Sequence, residues 1–136
     1  TEAIYGDTLI AGKFLLAPGD YHMVLEPCLA GNKVRLNQNP PENYCRPAVD
    51  PMLRSVAKIY GASALTVILT GMGQDGLEGC KAIHKAGGKI LVQDQATSVV
   101  WGMPGTVYKE GLAEEALSIH DLSAAIMGRL NQKQAL

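Results

Sequence analysis

Hydrophobic and polar positions change their spacing several times along the chain, and each change marks an element. A short apolar run at residues 14–16 predicts a strand, stopped by Ala17-Pro18-Gly19, where adjacent proline and glycine favour a turn. Residues 23–25 and 33–36 alternate enough for a small antiparallel pair, with Ala30-Gly31-Asn32-Lys33 turning between them. From 37 to 49 the periodicity is lost in a proline-rich stretch, and an ordered connection of that length commonly has a task such as lining a cleft. The spacing then turns helical. Met52, Leu53, Val56, Ala57 and Ile59 make an apolar stripe, with Asp50 expected to cap the helix and Pro51 to occupy its first turn.

Val67, Ile68 and Leu69 form a continuous apolar run rich in β-branched residues, which suits a parallel strand covered on both faces. Gly71, Gly73 and Gly76 then let the chain turn sharply into a helix over 76–86, closed by Gly87-Gly88, and residues 89–93 make the next strand. A strand, helix, strand unit of this kind implies a parallel sheet with a right-handed crossover. A helical turn is expected at 96–100, a helix opened by Met103-Pro104 and running to Lys109, a last strand at 115–119 and a closing helix at 122–130.

At 136 residues the chain is read as one domain, large enough for a real core. With 47% apolar residues and a formal net charge of −1 it is globular and carries no electrostatic footprint for nucleic acid. No apolar run approaches the roughly 20 residues that cross a bilayer, so no membrane insertion is expected. The start, TEAIYGDTLIAG, lacks the basic and apolar regions of a signal peptide. Because it begins with Thr1, the chain is expected to be processed, excised or truncated. Cys28, Cys45 and Cys80 are too far apart for a C-x-x-C metal or redox motif, and free thiols in a reducing cytoplasm are the plain reading. Cys45 precedes Arg46, a neighbour that favours a thiolate. No cofactor and no metal are expected.

The candidate chemistry gathers on the glycine-rich turn. In an open α/β sheet a turn after a strand lies at the carboxyl edge, where ligands and catalytic groups collect, and this turn carries one acid, Asp75. Three readings of it stand side by side. Asp75 caps the helix that follows; or it is an acid of a catalytic or binding site; or Gly71-x-Gly73-x-x-Gly76, followed by a strand ending near Asp94, is a dinucleotide fingerprint. Against the last, a carboxylate at a helix start repels the pyrophosphate that such a start would bind.

Four segments carry a resemblance. LTGMGQDGLEG and the following KAGGKILVQDQATSVVWGMPGTVYKEG closely resemble the C-terminal part of the CheB family of chemotaxis methylesterases; APGDYHM and CRPAVDPMLRSVA look like that family's APG-x-x-HM and RPSVD segments, in the same order. The likeness runs from roughly Gly6 to Leu122. It implies an α/β fold with a mostly parallel, doubly wound (Rossmann-like) sheet and a small antiparallel hairpin. It implies hydrolysis of glutamate γ-methyl esters on chemoreceptor helices, with possible glutamine deamidation, by a serine, histidine and aspartate triad in the cytoplasm. The family's aspartate maps onto Asp75, which would orient the histidine ring and stabilise the imidazolium. Backbone N–H groups near Met72 and Gly73 are candidates for holding the oxyanion.

This chain departs from the family in one respect. The serine motif GAS-T-GG and the QHMP-like histidine motif have no counterpart here. Gly61-Ala62-Ser63 imitates the first but precedes a strand instead of ending one, so Ser63 is read as a loop residue. His22 is read as a supporting polar contact, and His84 and His120 as ordinary helix residues. Trp101 and Met103 are read as packing residues, with Gly102 permitting close backbone approach. The expectation is therefore the C-terminal portion of a larger catalytic domain, lacking the family's N-terminal strands. An N-terminal segment or another chain would complete the sheet beside Val67, Ile68 and Leu69, an unpaired edge without it. Two alternatives remain, a dinucleotide-binding module and a noncatalytic receptor-binding remnant.

Overall fold

The computed structural model describes residues 1–134. The first sheet is a hairpin of β1 (His22–Cys28) and β2 (Gly31–Asn37), antiparallel, with His22 opposite Asn37 and Cys28 opposite Gly31. The turn is tighter and earlier than the polar stretch suggested: it falls on Leu29 and Ala30, and Gly31 takes the positive φ of +122°. Both strands consequently run seven residues.

The second sheet is parallel, in the order β3 (Leu65–Ile68), β4 (Lys89–Gln93), β5 (Glu115–Leu117). Between these strands lie α2 (Leu77–Lys85) and α3 (Met103–Lys109); α1 (Val49–Tyr60) comes before the sheet, and α4 (Ile119–Gln134) follows it. The central strand, β4, hides Ile90, Leu91 and Val92 almost completely, which is why its sequence reads as an apolar run without alternation.

The main core joins Leu53 and Ala57 of α1, Ile68 of β3, Cys80 and Ile83 of α2, Ile90 and Val92 of β4, and Val107 of α3. A smaller core of Ala3, Met23 and Val34 lies under the hairpin, and Met52 packs against both. The stripe on α1 thus serves two layers and fixes the hairpin to the sheet. Helices α1 and α2 meet so closely at Gly79 that a Cβ there would lie 2.5 Å from the Leu53 Cβ.

Several expected boundaries shift: β3 starts earlier and ends at Ile68, leaving Leu69 outside the strand, and α4 extends beyond the expected 122–130 at both ends. The strand at 14–16 is reduced to an isolated parallel bridge between Leu16 and Glu2, with Phe14 74% exposed. Gly12 at φ +78° and Pro18 bracket a run too short to build a ladder. The 96–100 segment forms a turn at 95–97, where Thr97 donates from both its amide and its hydroxyl to Asp94. The last strand stops at Leu117, because Ser118 starts α4 by accepting a hydrogen bond from the Asp121 amide at 3.2 Å.

Candidate active site

The glycine-rich turn leaves β3 at its carboxyl end and is tied down before it reaches Asp75. Gln93, buried at the end of β4, accepts from the Thr70 amide at 2.8 Å and donates to the Thr97 carbonyl at 2.8 Å, linking the loops after two strands. Gly71 donates to the Val100 carbonyl at 3.0 Å and accepts from the amides of Gly102 and Met103. Gly102 has to be glycine there, since a Cβ would lie 2.8 Å from the Gly71 carbonyl and 2.9 Å from the Gly73 nitrogen. The close approach expected at Gly102 is therefore made to the Asp75 loop. Trp101 donates from its indole to the Gln93 carbonyl at 2.9 Å and packs on Tyr108, the supporting role read for it.

Asp75 is 6% exposed. Its Oδ2 accepts from the Val49 amide at 2.7 Å, and its Oδ1 from the Asp50 amide at 3.1 Å and the Asn43 side chain at 3.2 Å. It is indeed a helix cap, but of α1, the neighbouring helix, and not of the one it precedes in sequence. Asp50 does the converse. The expectation that it caps its own helix is corrected: Ala48 occupies that position without a side-chain bond, and Asp50 lies in the first turn of α1. The Asp50 Oδ1 accepts from the amides of Gly76 and Gly79 at 3.0 and 2.7 Å, capping α2. Two helix starts that adjoin in space have exchanged their carboxylates, because each acid is better aimed at the neighbour's free N–H groups than at its own.

This exchange also bears on the dinucleotide reading. The N–H groups that would meet a pyrophosphate at the start of α2 are already bonded to the Asp50 carboxylate, so an anion of the protein itself fills that place.

The other candidates are dispersed. Ser63 is exposed in a one-turn helix, Gly61–Ser63, at the amino end of β3, opposite the end from which Asp75 emerges. His22 is buried; its Nε2 faces the Pro40 carbonyl at 3.0 Å and its Nδ1 accepts from the Ala48 amide at 3.2 Å, so both ring nitrogens are engaged in holding the 37–49 loop. His84 and His120 are exposed on α2 and α4. Met72 is 83% exposed on the turn, and Gly73 takes φ +92°. Burial, with the Asp50 charge adding to it, pushes the Cys80 thiol up to about 12. Cys45 is exposed and its Sγ lies 3.4 Å from the Asn43 carbonyl. Among the described residues no group of three or more histidine, cysteine, aspartate or glutamate side chains is arranged to hold a metal ion. No helix of the described residues is long and apolar enough to cross a membrane.

Asn43 is the residue that sequence reasoning missed. It lies in the proline-rich loop, 32 positions from Asp75 and seven from Asp50, and donates to both carboxylates. The only hint was chemical: two acids at adjoining helix starts need a donor between them. Arg54 bonds Glu42, which raises its pKa first, with the charges of Asp50 and Asp75 adding smaller contributions.

The model of the family described as CheB methylesterase matches residues 1–126. The protein-glutamate methylesterase/protein-glutamine glutaminase 1 of Rhodospirillum rubrum is 48% identical over 132 residues, covering 97% of this chain and 34% of its own length. That of Trichodesmium erythraeum is 51% identical over 131 residues, 95% of this chain and 37% of its own length. Among solved structures, the CheB methylesterase catalytic domain of Thermotoga maritima superposes with a TM-score of 0.89 at 36% identity, over 93% of this chain and 67% of that one. The chain spans about a third of the length of the curated relatives it matches.

Proposed function

We propose, from the premise that the chain belongs to the CheB methylesterase family, that it forms the C-terminal part of a catalytic domain and supplies the carboxylate of a Ser-His-Asp esterase. The substrate is a glutamate γ-methyl ester of a protein, with glutamine deamidation as the related reaction, in keeping with the relatives' names; its place on a chemoreceptor helix follows from the family resemblance. The serine and histidine come from outside these residues, on a segment that adds strands beside β3.

The observation that carries the reading is the state of Asp75. It stands beyond the carboxyl end of β3 and accepts three hydrogen bonds that fix its rotamer. A carboxylate has about four acceptor positions, so one is left for an imidazole N–H. In the reaction, the histidine takes the serine proton as the serine oxygen attacks the ester carbonyl, methanol leaves, and water then releases the glutamate by the same route. Asp75 holds the ring in the tautomer that accepts that proton and stabilises the imidazolium. Amides of Met72 and Gly73 are the candidate oxyanion donors, on the same turn.

The test is hydrolysis of a methylated receptor segment by this chain alone and by this chain co-expressed with a family N-terminal segment carrying GAS-T-GG. Activity is expected only from the pair, unchanged by Ser63→Ala and reduced about 10³- to 10⁴-fold by Asp75→Ala. Robust activity from the chain alone, abolished by Ser63→Ala, would overturn the assignment.

A further inference from the structure

Asn43 sits between the two exchanged carboxylates, and the fold goes to some length to hold it there. Asn43 and Tyr44 both take left-handed backbone, φ +52° and +63°, which is uncommon for a bulky residue such as tyrosine. The turn is clamped on each side. Glu42 and Cys45 exchange backbone hydrogen bonds at 3.1 and 2.9 Å, Arg54 reaches both Glu42 oxygens at 2.8 and 2.7 Å, and Arg46 bonds Asp20 and the Gln38 carbonyl. Strained conformations persist where the surroundings over-determine them, and they cluster at functional sites.

What this turn delivers is one amide nitrogen. The Asn43 Nδ2 donates at 2.8 Å to Asp50 Oδ2 and at 3.2 Å to Asp75 Oδ1, and its two hydrogens serve the two acids at once. The backbone amides of Val49 and Asp50 hold the two oxygens of Asp75 from the α1 side. The Asn43 bond arrives from a different element, so it adds a third constraint, independent of α1, on the direction in which the carboxylate points.

We propose that Asn43 is a positioning residue for ester hydrolysis, acting through Asp75 by fixing the direction of the lone pair that meets the histidine. This rests on the reading of Asp75 as the third member of the triad. Asp50 belongs to the same unit, since it holds both Asn43 and the start of α2 that carries the Asp75 loop. Removing Asn43 leaves the donors on α1 in place and loosens only the orientation, so the loss falls on the chemical step and not on substrate binding.

The experiment uses the chain together with its completing N-terminal segment and compares Asn43→Ala, Asp75→Ala and the double variant on a methylated receptor segment, with thermal unfolding recorded for each. Asn43→Ala is expected to lower kcat about 10- to 100-fold with KM within about twofold, the scale of a misaimed catalytic group. On the Asp75→Ala background the same change is expected to cost nothing further, because its route is gone. An equal loss with Asp75 absent, or a rise in KM at constant kcat, overturns the positioning role alone. An Asp75→Ala variant with full activity overturns the reading beneath it, and the positioning role with it. Should Asn43→Ala fail to fold, Asn43→Ser, whose single hydroxyl hydrogen satisfies only one of the acids, is judged by the same criteria.

Discussion

At the scale of single residues, environment overrides identity, and the three cysteines illustrate it. Cys80 is fully buried and its thiol is shifted up from 9.0 to about 12, first by desolvation and then by the Asp50 charge. Because the fold prefers the neutral thiol, its contribution to stability is complete below about 9 and is lost as the pH rises through that interval. Iodoacetamide at pH 8 is therefore expected to label exposed Cys45 and spare Cys80 until the protein unfolds, as peptide mass mapping will read out; equal labelling of both in the native state would contradict the burial. Asp75 stood out in the sequence as a candidate because its motif lies within a few residues of it. Its cap role was half legible: aspartate before a helix suggests a cap, but which helix depends on packing that no local pattern encodes. Asn43 was illegible for the same reason, as an asparagine in a turn is ordinary until its partners are seen. His22 was legible as support, and both of its ring nitrogens are occupied in that work.

At the scale of elements, the parallel strands and α1 followed from apolar runs and helical spacing, and β4 and α3 fall on the expected residues. The elements that differ are those whose limits are set by turns: the hairpin closed two residues early on Leu29 and Ala30, and residues 14–16 found too little chain to pair with. The contact of α1 with α2 sets a sharper condition than either helix alone. Gly79→Ala improves intrinsic helix propensity by up to about 1 kcal/mol. It also forces a Cβ to 2.5 Å from Leu53 Cβ and 3.2 Å from Asp50 Oδ1, and overpacking of this kind costs about 1–3 kcal/mol. A net loss of stability is expected in urea denaturation; a more stable variant would mean that the two helices are not in such tight contact.

At the scale of the whole molecule, β3 is one of the two edges of the parallel sheet, and the chain that leaves its carboxyl end exposes apolar side chains, with Leu69 48% and Met72 83% exposed. An edge of this composition invites pairing with another chain. Concentration-dependent association of these 136 residues is expected in light scattering, suppressed when the family's N-terminal segment is supplied; a monomer at all concentrations would argue that the edge needs no cover. The sequence disclosed this edge as an apolar strand suited to a sheet interior, while the joining of hairpin and sheet through Met52 emerged only from packing. The crossed capping of α1 and α2 has a last consequence for how the molecule opens. Unravelling the first turn of α1 removes the amides that Asp75 caps and also releases Asp50 from the start of α2, so fraying at α1 loosens both helix starts. Local breathing that displaces Asp75 therefore exposes amides at the start of α1 and frees the Asn43 side chain in the same event.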